Sequence, residues 1–317
     1  MILDVGIPLA ILVGTVIGLW IGARLFVDNA VDLARRFEIS ELIVGLTIVA
    51  VGTSLPELVV TVDAVLAGAD DVAVGNVVGS NLYNLAFVLG VVVLSGSVAI
   101  PRSLARRDGV VLFVATALGA LVLLDLHLAR FEGALLLLAL VAYLTVLARA
   151  DSESGTGELG TEDPGTASDR GRLRPLVLLG LGLALVIASG HLLVEVAVDL
   201  ARTVGVSEWA IGSTVVAAGT STPEFAVSVV ALWGGRPGVS VGNLLGSNVF
   251  NVLGVLGFAG VVGPVSVDPS ALADLGWLLV VTGFVTVSLW TGHRLSRTEG
   301  GLLVASELLR WALDLLR

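Results

Sequence analysis

The chain has 317 residues, of which 56% are hydrophobic and only 14% charged. Soluble domains sit near ~45–50% apolar and ~25% charged, so the composition points away from a soluble fold and toward a polytopic membrane protein. A net charge of −10 makes nucleic acid a poor partner, and the absence of cysteine excludes disulfides, thiolate metal sites and a cysteine nucleophile.

A membrane helix needs about 20 mostly apolar residues. Ten stretches fit: 5–26, 42–66, 72–95, 109–126, 131–149, 175–195, 209–233, 239–262, 271–291 and 299–316. No basic residue precedes the first, which is read as a retained span rather than a signal peptide. The second carries Gly52-Thr53-Ser54-Leu55-Pro56-Glu57 inside an otherwise apolar run. Proline removes a backbone donor and crowds the carbonyl four residues earlier, here that of Gly52. A broken helix at membrane depth is tolerated where it lines a cavity. Asp63, further along this stretch, has no acidic counterpart elsewhere in the chain.

The third stretch carries Gly75-Asn76 and then Gly79-Ser80-Asn81-Leu82-Tyr83-Asn84. Ser80 and Asn84 are four apart and share a helix face, with Asn76 one turn further back. Asn81 points elsewhere and is expected to bond backbone near a break. Small residues every four positions also let helices pack closely. Asp125 and His127, between the fourth and fifth stretches, read as interface residues.

Residues 150–174 form the one long polar segment, rich in Gly, Ser, Thr and acidic residues. It reads as a flexible linker, and it contains no twelve-residue EF-hand pattern.

The seventh stretch repeats the second. Residues 45–90 align without a gap to 212–257 at a constant offset of 167, with about half the positions identical. Gly219-Thr220-Ser221-Thr222-Pro223-Glu224 copies the first motif, and the eighth stretch carries Gly242-Asn243 and Gly246-Ser247-Asn248-Val249-Phe250-Asn251. The chain is therefore a duplication: a first five-helix repeat over 1–149, the acidic linker 150–174, and a second five-helix repeat over 175–317. Five spans per copy is odd, so the second copy starts on the opposite side of the membrane. The expected fold is an all-α membrane protein of ten transmembrane helices in two inverted repeats, an architecture of secondary transporters. The tenth stretch is the weakest, because Glu307 and Arg310 interrupt it, and an interfacial position is its other reading.

A mid-membrane carboxylate costs ~2.5–3.5 kcal/mol on the insertion scale. Glu57 and Glu224 stand at matching positions, and neither span holds an Arg or Lys, so the compensating partner is a bound cation or a proton. Together with the Thr and Ser hydroxyls, amide oxygens and freed carbonyls they form an all-oxygen set suited to Ca²⁺ or Na⁺. Two Glu charges balance one Ca²⁺ or two Na⁺, and competition for them gives exchange.

Every basic residue is Arg. Loops after the odd-numbered spans hold thirteen of them and the opposite side only four. The positive-inside rule puts the richer side in the cytoplasm, with both termini outside and the linker cytoplasmic.

The paired GTSLPE…GNVVGSNLYN and GTSTPEF…GNLLGSNVFN blocks resemble the alpha-repeats of the Ca²⁺/cation antiporter superfamily, close to prokaryotic sodium/calcium exchangers. The resemblance implies Ca²⁺/Na⁺ exchange across the cell membrane and four cation positions in a central diamond. Glu57 and Glu224 would be the principal Ca²⁺ ligands, helped by the carbonyls of Thr53 and Thr220. Flanking Na⁺ positions would use the carbonyls of Ala50 and Ala217 and the hydroxyls of Thr53, Ser54, Ser80, Thr220, Ser221 and Ser247. Asn84 and Asn251 would complete the centre. The resemblance also implies that spans one and six slide as a unit. Many sodium/calcium exchangers have Asp where this chain has Asn251, which leaves one potential charge fewer and makes a proton-coupled divalent-cation antiporter the second reading. A channel is disfavoured by the inverted duplication and single Glu pair. An enzyme is disfavoured because no Ser–His–Asp arrangement accompanies the Glu pair. No cofactor and no obligate protein partner are implied; the ions are substrates and the bilayer is the surroundings.

Overall fold

The computed structural model describes residues 2–95, 98–99, 107–154, 169–203, 217–292 and 294–315. Most of the acidic segment (155–168), the start of the seventh stretch (209–216), Arg102, Arg106 and Arg317 lie outside the described residues. The rest is almost wholly helical. In chain order the helices are α1 (Ile2–Arg36), α2 (Glu41–Thr53), α3 (Leu55–Leu66), α4 (Asp70–Ser95), α5 (Gly109–Val122), α6 (Arg130–Ser154), α7 (Asp169–Thr203), α8 (Ala217–Thr220), α9 (Thr222–Trp233), α10 (Pro237–Val262), α11 (Ala271–Gly292) and α12 (Arg297–Leu315). Four two-residue strands pair in antiparallel fashion, β1 (Val98–Ala99) with β4 (Arg294–Leu295) and β2 (His127–Leu128) with β3 (Val265–Ser266). Among the described residues six helices are long and apolar enough to cross a membrane, and α2 with α3 makes a seventh as one bent span. The protein is thus a multi-pass helical membrane protein.

The chain divides into two compact units, residues 1–53 with 147–243 and residues 54–146 with 244–317. Each draws on both sequence repeats.

In the first unit α1 lies along α7, and glycine makes the crossing possible. A Cβ on Gly182 would meet the Phe26 amide nitrogen at 2.6 Å and the Gly22 carbonyl oxygen at 2.9 Å. Such close backbone approach is the usual basis of helix association in lipid, where burial of apolar surface offers no net drive. Phe26, Val27, Ala30 and Val31 of α1 then pack with Val186 of α7 and Val227 and Ala231 of α9 in one buried cluster. At Gly182→Ala the helices must part, an overpacking cost of roughly 1–3 kcal/mol. The expected result is a clearly lowered thermal midpoint, with Gly180→Ala as the control, since a Cβ at Gly180 meets nothing within 4 Å. Equal midpoints in the two variants would refute this account of the crossing. α2 meets the start of α10 in a similar way: a Cβ on Gly242 would lie 2.8 Å from the Leu42 carbonyl. Arg236 donates from Nη1 to Glu41 Oε1 at 2.9 Å, and Trp20 and Trp233 face each other with ring centroids 5.6 Å apart. Arg24 and His191, at matching repeat positions, are exposed and each faces an acid four residues on, Asp28 at 3.8 Å and Glu195 at 3.3 Å.

In the second unit the apolar core contains Leu82, Leu85 and Leu89 of α4, Leu112 of α5 and Leu245 of α10, all fully buried. Asp70 and Asp71, at the start of α4, accept backbone hydrogens from Ser266 and Asp268, each at 2.8 Å. The backbone amide of Ser270 in turn holds the exposed Asp268 carboxyl below its usual range. Asp125 and His127 lie in the same loop region, with His127 Nδ1 2.9 Å from Ser266 Oγ. α12 packs along the second half of α4. The two charges that interrupt its apolar run meet there, Arg310 Nη2 donating to the fully buried Glu307 at 2.6 Å. Asp63 is exposed on α3.

Candidate cation site

The two breaks foreseen at the proline motifs are present and matched. α2 ends at Thr53, and α3 starts after Ser54 (φ −85°, ψ 7°). α8 ends at Thr220, and α9 starts after Ser221 (φ −90°, ψ 13°). Near-zero ψ takes the break residue out of helical register, and the proline in the next first turn needs no amide partner there. The new helices open with Leu58 donating to the Ser54 carbonyl and Phe225 to that of Ser221, both at 3.1 Å. Glu57 and Glu224 thus fall in a first turn, where the helix dipole presents positive charge to a carboxylate. That is one physical reason the fold tolerates an acid within an apolar run.

The first unit holds Ala50, Thr53, Ala217, Thr220, Ser221 and Glu224. Thr53, Ser221 and Glu224 are fully buried and Thr220 half-buried. Asn243 ties this group together. Its Nδ2 donates to Ser228 Oγ at 2.9 Å and reaches the Glu224 carbonyl at 3.4 Å. Its Oδ1 accepts from Thr53 Oγ1 at 3.0 Å.

The second unit holds Ser54, Glu57, Ser80, Asn84, Ser247 and Asn251, all buried. Here Asn76 repeats the strap: its Nδ2 donates to Thr61 Oγ1 at 2.9 Å and to the Glu57 carbonyl at 3.1 Å. In both units an asparagine therefore grips the Glu carbonyl and a hydroxyl one turn on, which fixes how the half-helix is rotated. Thr61 and Ser228 escaped the sequence reading. The signal was available: both stand four residues after the Glu, at the repeat offset of 167. Asn81 and Asn248 both bond backbone, but that of α10 rather than the backbone at the breaks at Ser54 and Ser221, and in different ways. Asn81 Nδ2 donates to the Asn248 carbonyl at 3.1 Å, whereas Asn248 Nδ2 donates to Leu244 of its own helix at 2.7 Å.

π-Helical turns mark the central asparagines. One runs over Tyr83–Val88 within α4 and includes Asn84; another runs over Asn251–Val255 within α10. Such turns recur at functional sites, because the wider ring re-aims side chains. Asn251 Nδ2 donates to Asn81 Oδ1 at 3.1 Å. Its own Oδ1, and both amide atoms of Asn84, are buried with no hydrogen-bond partner among the described residues. Each orphaned polar atom costs ~1–3 kcal/mol. A cation or water would relieve the two amide oxygens, and a water the Asn84 Nδ2 donor.

The sequence model described as sodium/calcium exchanger protein matches residues 7–149 and 174–306. The chain is 37% identical over 305 residues to a putative antiporter, CaxA, of Alkalimonas amylolytica, covering 93% of this chain and 94% of the relative. It is 28% identical over 319 residues to the sodium/calcium exchanger MaX1 of Methanosarcina acetivorans, covering 89% and 91%. Its fold matches a solved structure of the sodium-calcium exchanger NCX_Mj soaked with Na⁺ and Sr²⁺, with a TM-score of 0.83 and 25% identity over 96% of this chain and 97% of that one. The neighbours are transporters rather than enzymes. With these matches over most of its length, and with buried carboxylates at two broken helices, the chain belongs to the sodium/calcium exchanger family, as a multi-pass cation antiporter.

Proposed function

We propose that the protein extrudes Ca²⁺ in exchange for Na⁺ by alternating access, with Glu57 and Glu224 as the principal Ca²⁺ ligands. The observation that carries the reading is the pair of fully buried carboxylates, each in the first turn of a helix that begins at a break within an apolar run. Two negative charges match one Ca²⁺ or two Na⁺, so the ions displace one another without leaving uncompensated charge in a low-dielectric site. The carbonyls of Thr53 and Thr220 assist Ca²⁺. Ala50 and Ala217 carbonyls, with the hydroxyls of Thr53, Ser54, Ser80, Thr220, Ser221 and Ser247, serve Na⁺, and Asn84 and Asn251 line the centre. We read ten spans in two inverted halves, with both termini outside and the 150–174 linker in the cytoplasm. The Arg asymmetry supports that orientation.

A second reading is favoured by one feature. Both central positions are amides, so no third carboxylate is available, and a proton-coupled divalent-cation antiporter needs none.

The test is Ca²⁺ uptake into Na⁺-loaded proteoliposomes diluted into Na⁺-free medium at clamped potential, beside an arm carrying only a pH gradient. Uptake that requires the Na⁺ gradient is the expected result. Uptake driven by the pH gradient alone would transfer the protein to the second reading, and no Ca²⁺ flux in either arm would refute both for Ca²⁺.

A further inference from the structure

We propose that Trp311 of α12 is a positioning residue for the cation centre, because its ring clamps the π-helical turn that carries Asn84. The inference rests on the reading above that Asn84 lines the centre, and it assigns a determinant of ion affinity outside the ligand set.

Asn84 and Asn251 stand at matching repeat positions but are held differently. Asn251 is turned by its hydrogen bond to Asn81 Oδ1 at 3.1 Å. Asn84 has no such tether, since both its amide atoms are buried with no hydrogen-bond partner among the described residues. The place of its amide is therefore decided by the backbone turn Tyr83–Val88. A π-helical turn is a local departure from the α-helix, and surrounding packing has to hold it. Three rings do so. Tyr83 and Phe87 flank Asn84 on the turn and stack with centroids 5.1 Å apart. Trp311 stacks on both, 6.1 Å from Tyr83 and 5.7 Å from Phe87, with interplanar angles of 16° and 29°. These separations lie within the favourable range for aromatic pairs. The indole N–H of Trp311 is buried with no hydrogen-bond partner among the described residues. An orphaned donor is a cost, so what the indole contributes here lies in its faces.

The second repeat shows what the clamp replaces. α6 packs on α10 as α12 packs on α4. A Cβ on Gly300 would lie 2.9 Å from the Gly90 carbonyl, and one on Gly133, the matching position, 2.6 Å from that of Gly257. At the π-helical turns the two pairs diverge. The counterparts of Tyr83, Phe87 and Trp311 are Phe250, Gly254 and Leu144. The Phe250 ring lies across Gly254, where a Cβ would meet it at 3.0 Å, and glycine and leucine supply no second or third ring. One central asparagine is thus fixed by a hydrogen bond and the other by a ring stack. Without the Trp311 ring the turn loosens, and the Asn84 amide has to be ordered when the ion arrives. Ordering a ligand at the moment of binding lowers affinity.

The experiment is a Ca²⁺ titration of the full chain in lipid nanodiscs. The parent is compared with Trp311→Leu, Trp311→Phe, Asn84→Ala and the double variant Asn84→Ala/Trp311→Leu. Leucine is what the other repeat carries at this position, and both replacements of Trp311 also remove the orphaned donor. Trp311→Leu is expected to raise the Ca²⁺ dissociation constant about fivefold, the scale of lost aromatic pairs. Trp311→Phe keeps a ring and stays within about twofold of the parent. In the Asn84→Ala background the same Trp311→Leu change adds less than about twofold, because the residue it positions is gone. An equal factor in both backgrounds would mark a merely structural role and overturn the proposal. So would an unshifted constant in Trp311→Leu, or a Trp311→Phe as weak as Trp311→Leu. Where Trp311→Leu fails to fold, Phe87→Leu takes its place in the cycle under the same criteria. A parent that binds no Ca²⁺, or an Asn84→Ala variant that binds it as the parent does, overturns the placing of Asn84 at the centre and this inference together. A weakened Asn84→Ala beside an unshifted Trp311→Leu overturns only the inference.

Discussion

Glu57→Gln and Glu224→Gln each lower Ca²⁺ flux by about 100-fold or more, which corresponds to ~2.8 kcal/mol of lost cation binding. Both side chains are fully buried, and Gln keeps the shape while removing the charge. Two unit charges about 4 Å apart interact by ~4 kcal/mol at an effective dielectric of 20, so one missing carboxylate supplies the loss. The same substitution relieves the cost of holding an acid inside an apolar run, put at ~2.5–3.5 kcal/mol on the insertion scale. The ion-free variants are therefore expected to unfold no earlier than the parent. The Ca²⁺ response separates the effects. At about 100 times its dissociation constant, Ca²⁺ stabilises the parent by ~2.7 kcal/mol, and that gain disappears from the variants. Thermal unfolding with and without Ca²⁺ checks this. Variants that keep the Ca²⁺-dependent gain would show that the two carboxylates are not its ligands. Variants that unfold early in the absence of Ca²⁺ would show instead that the acids hold the fold.

Much of this architecture was legible because the chain states it twice. Two Gly-Thr-Ser-x-Pro-Glu motifs at one offset specify two broken helices, and the structure places the breaks at Ser54 and Ser221 with nearly the same backbone angles. Proline and hydropathy are local signals, so sequence carries them directly. Packing is not local. The repeat says which segments are copies, whereas contact decides which segments belong together. α1 and α7 are corresponding helices of the two copies, and the close approach of Gly22 and Gly182 joins them in one unit. The hydrogen-bond partners of the amides were hidden for the same reason. Asn76 and Asn243 look like members of a ligand-bearing stripe, yet they serve as straps on Thr61 and Ser228. Only the spacing of those hydroxyls from Glu57 and Glu224 hinted at it.

The sharpest limit of reading one repeat from the other is the pair Asn81 and Asn248, and it yields the second large effect: Asn81→Leu destabilises the protein by roughly 2–6 kcal/mol, from two buried groups orphaned at ~1–3 kcal/mol each. Sequence makes the two asparagines equivalent, and structure does not. Asn81 is a relay: it donates to the Asn248 carbonyl and accepts from Asn251 Nδ2, both at 3.1 Å. Leucine matches its size and removes both functions. The Asn248 carbonyl loses a donor, and the Asn251 amide loses the acceptor that sets which way it faces. Asn248 instead donates back to Leu244 in its own helix, and its Oδ1 is already buried with no hydrogen-bond partner among the described residues. Asn248→Leu therefore forfeits one local bond and abolishes an existing orphan, a net change within about 1 kcal/mol. In thermal unfolding the midpoint of Asn81→Leu is expected to fall by roughly 5–10 °C, while that of Asn248→Leu stays near the parent. Transport should follow the same order, because the amide of Asn251 is turned by Asn81. Equal losses in the two variants would mean that the pseudo-symmetric pair shares its burden, and the relay through Asn81 would have to be given up.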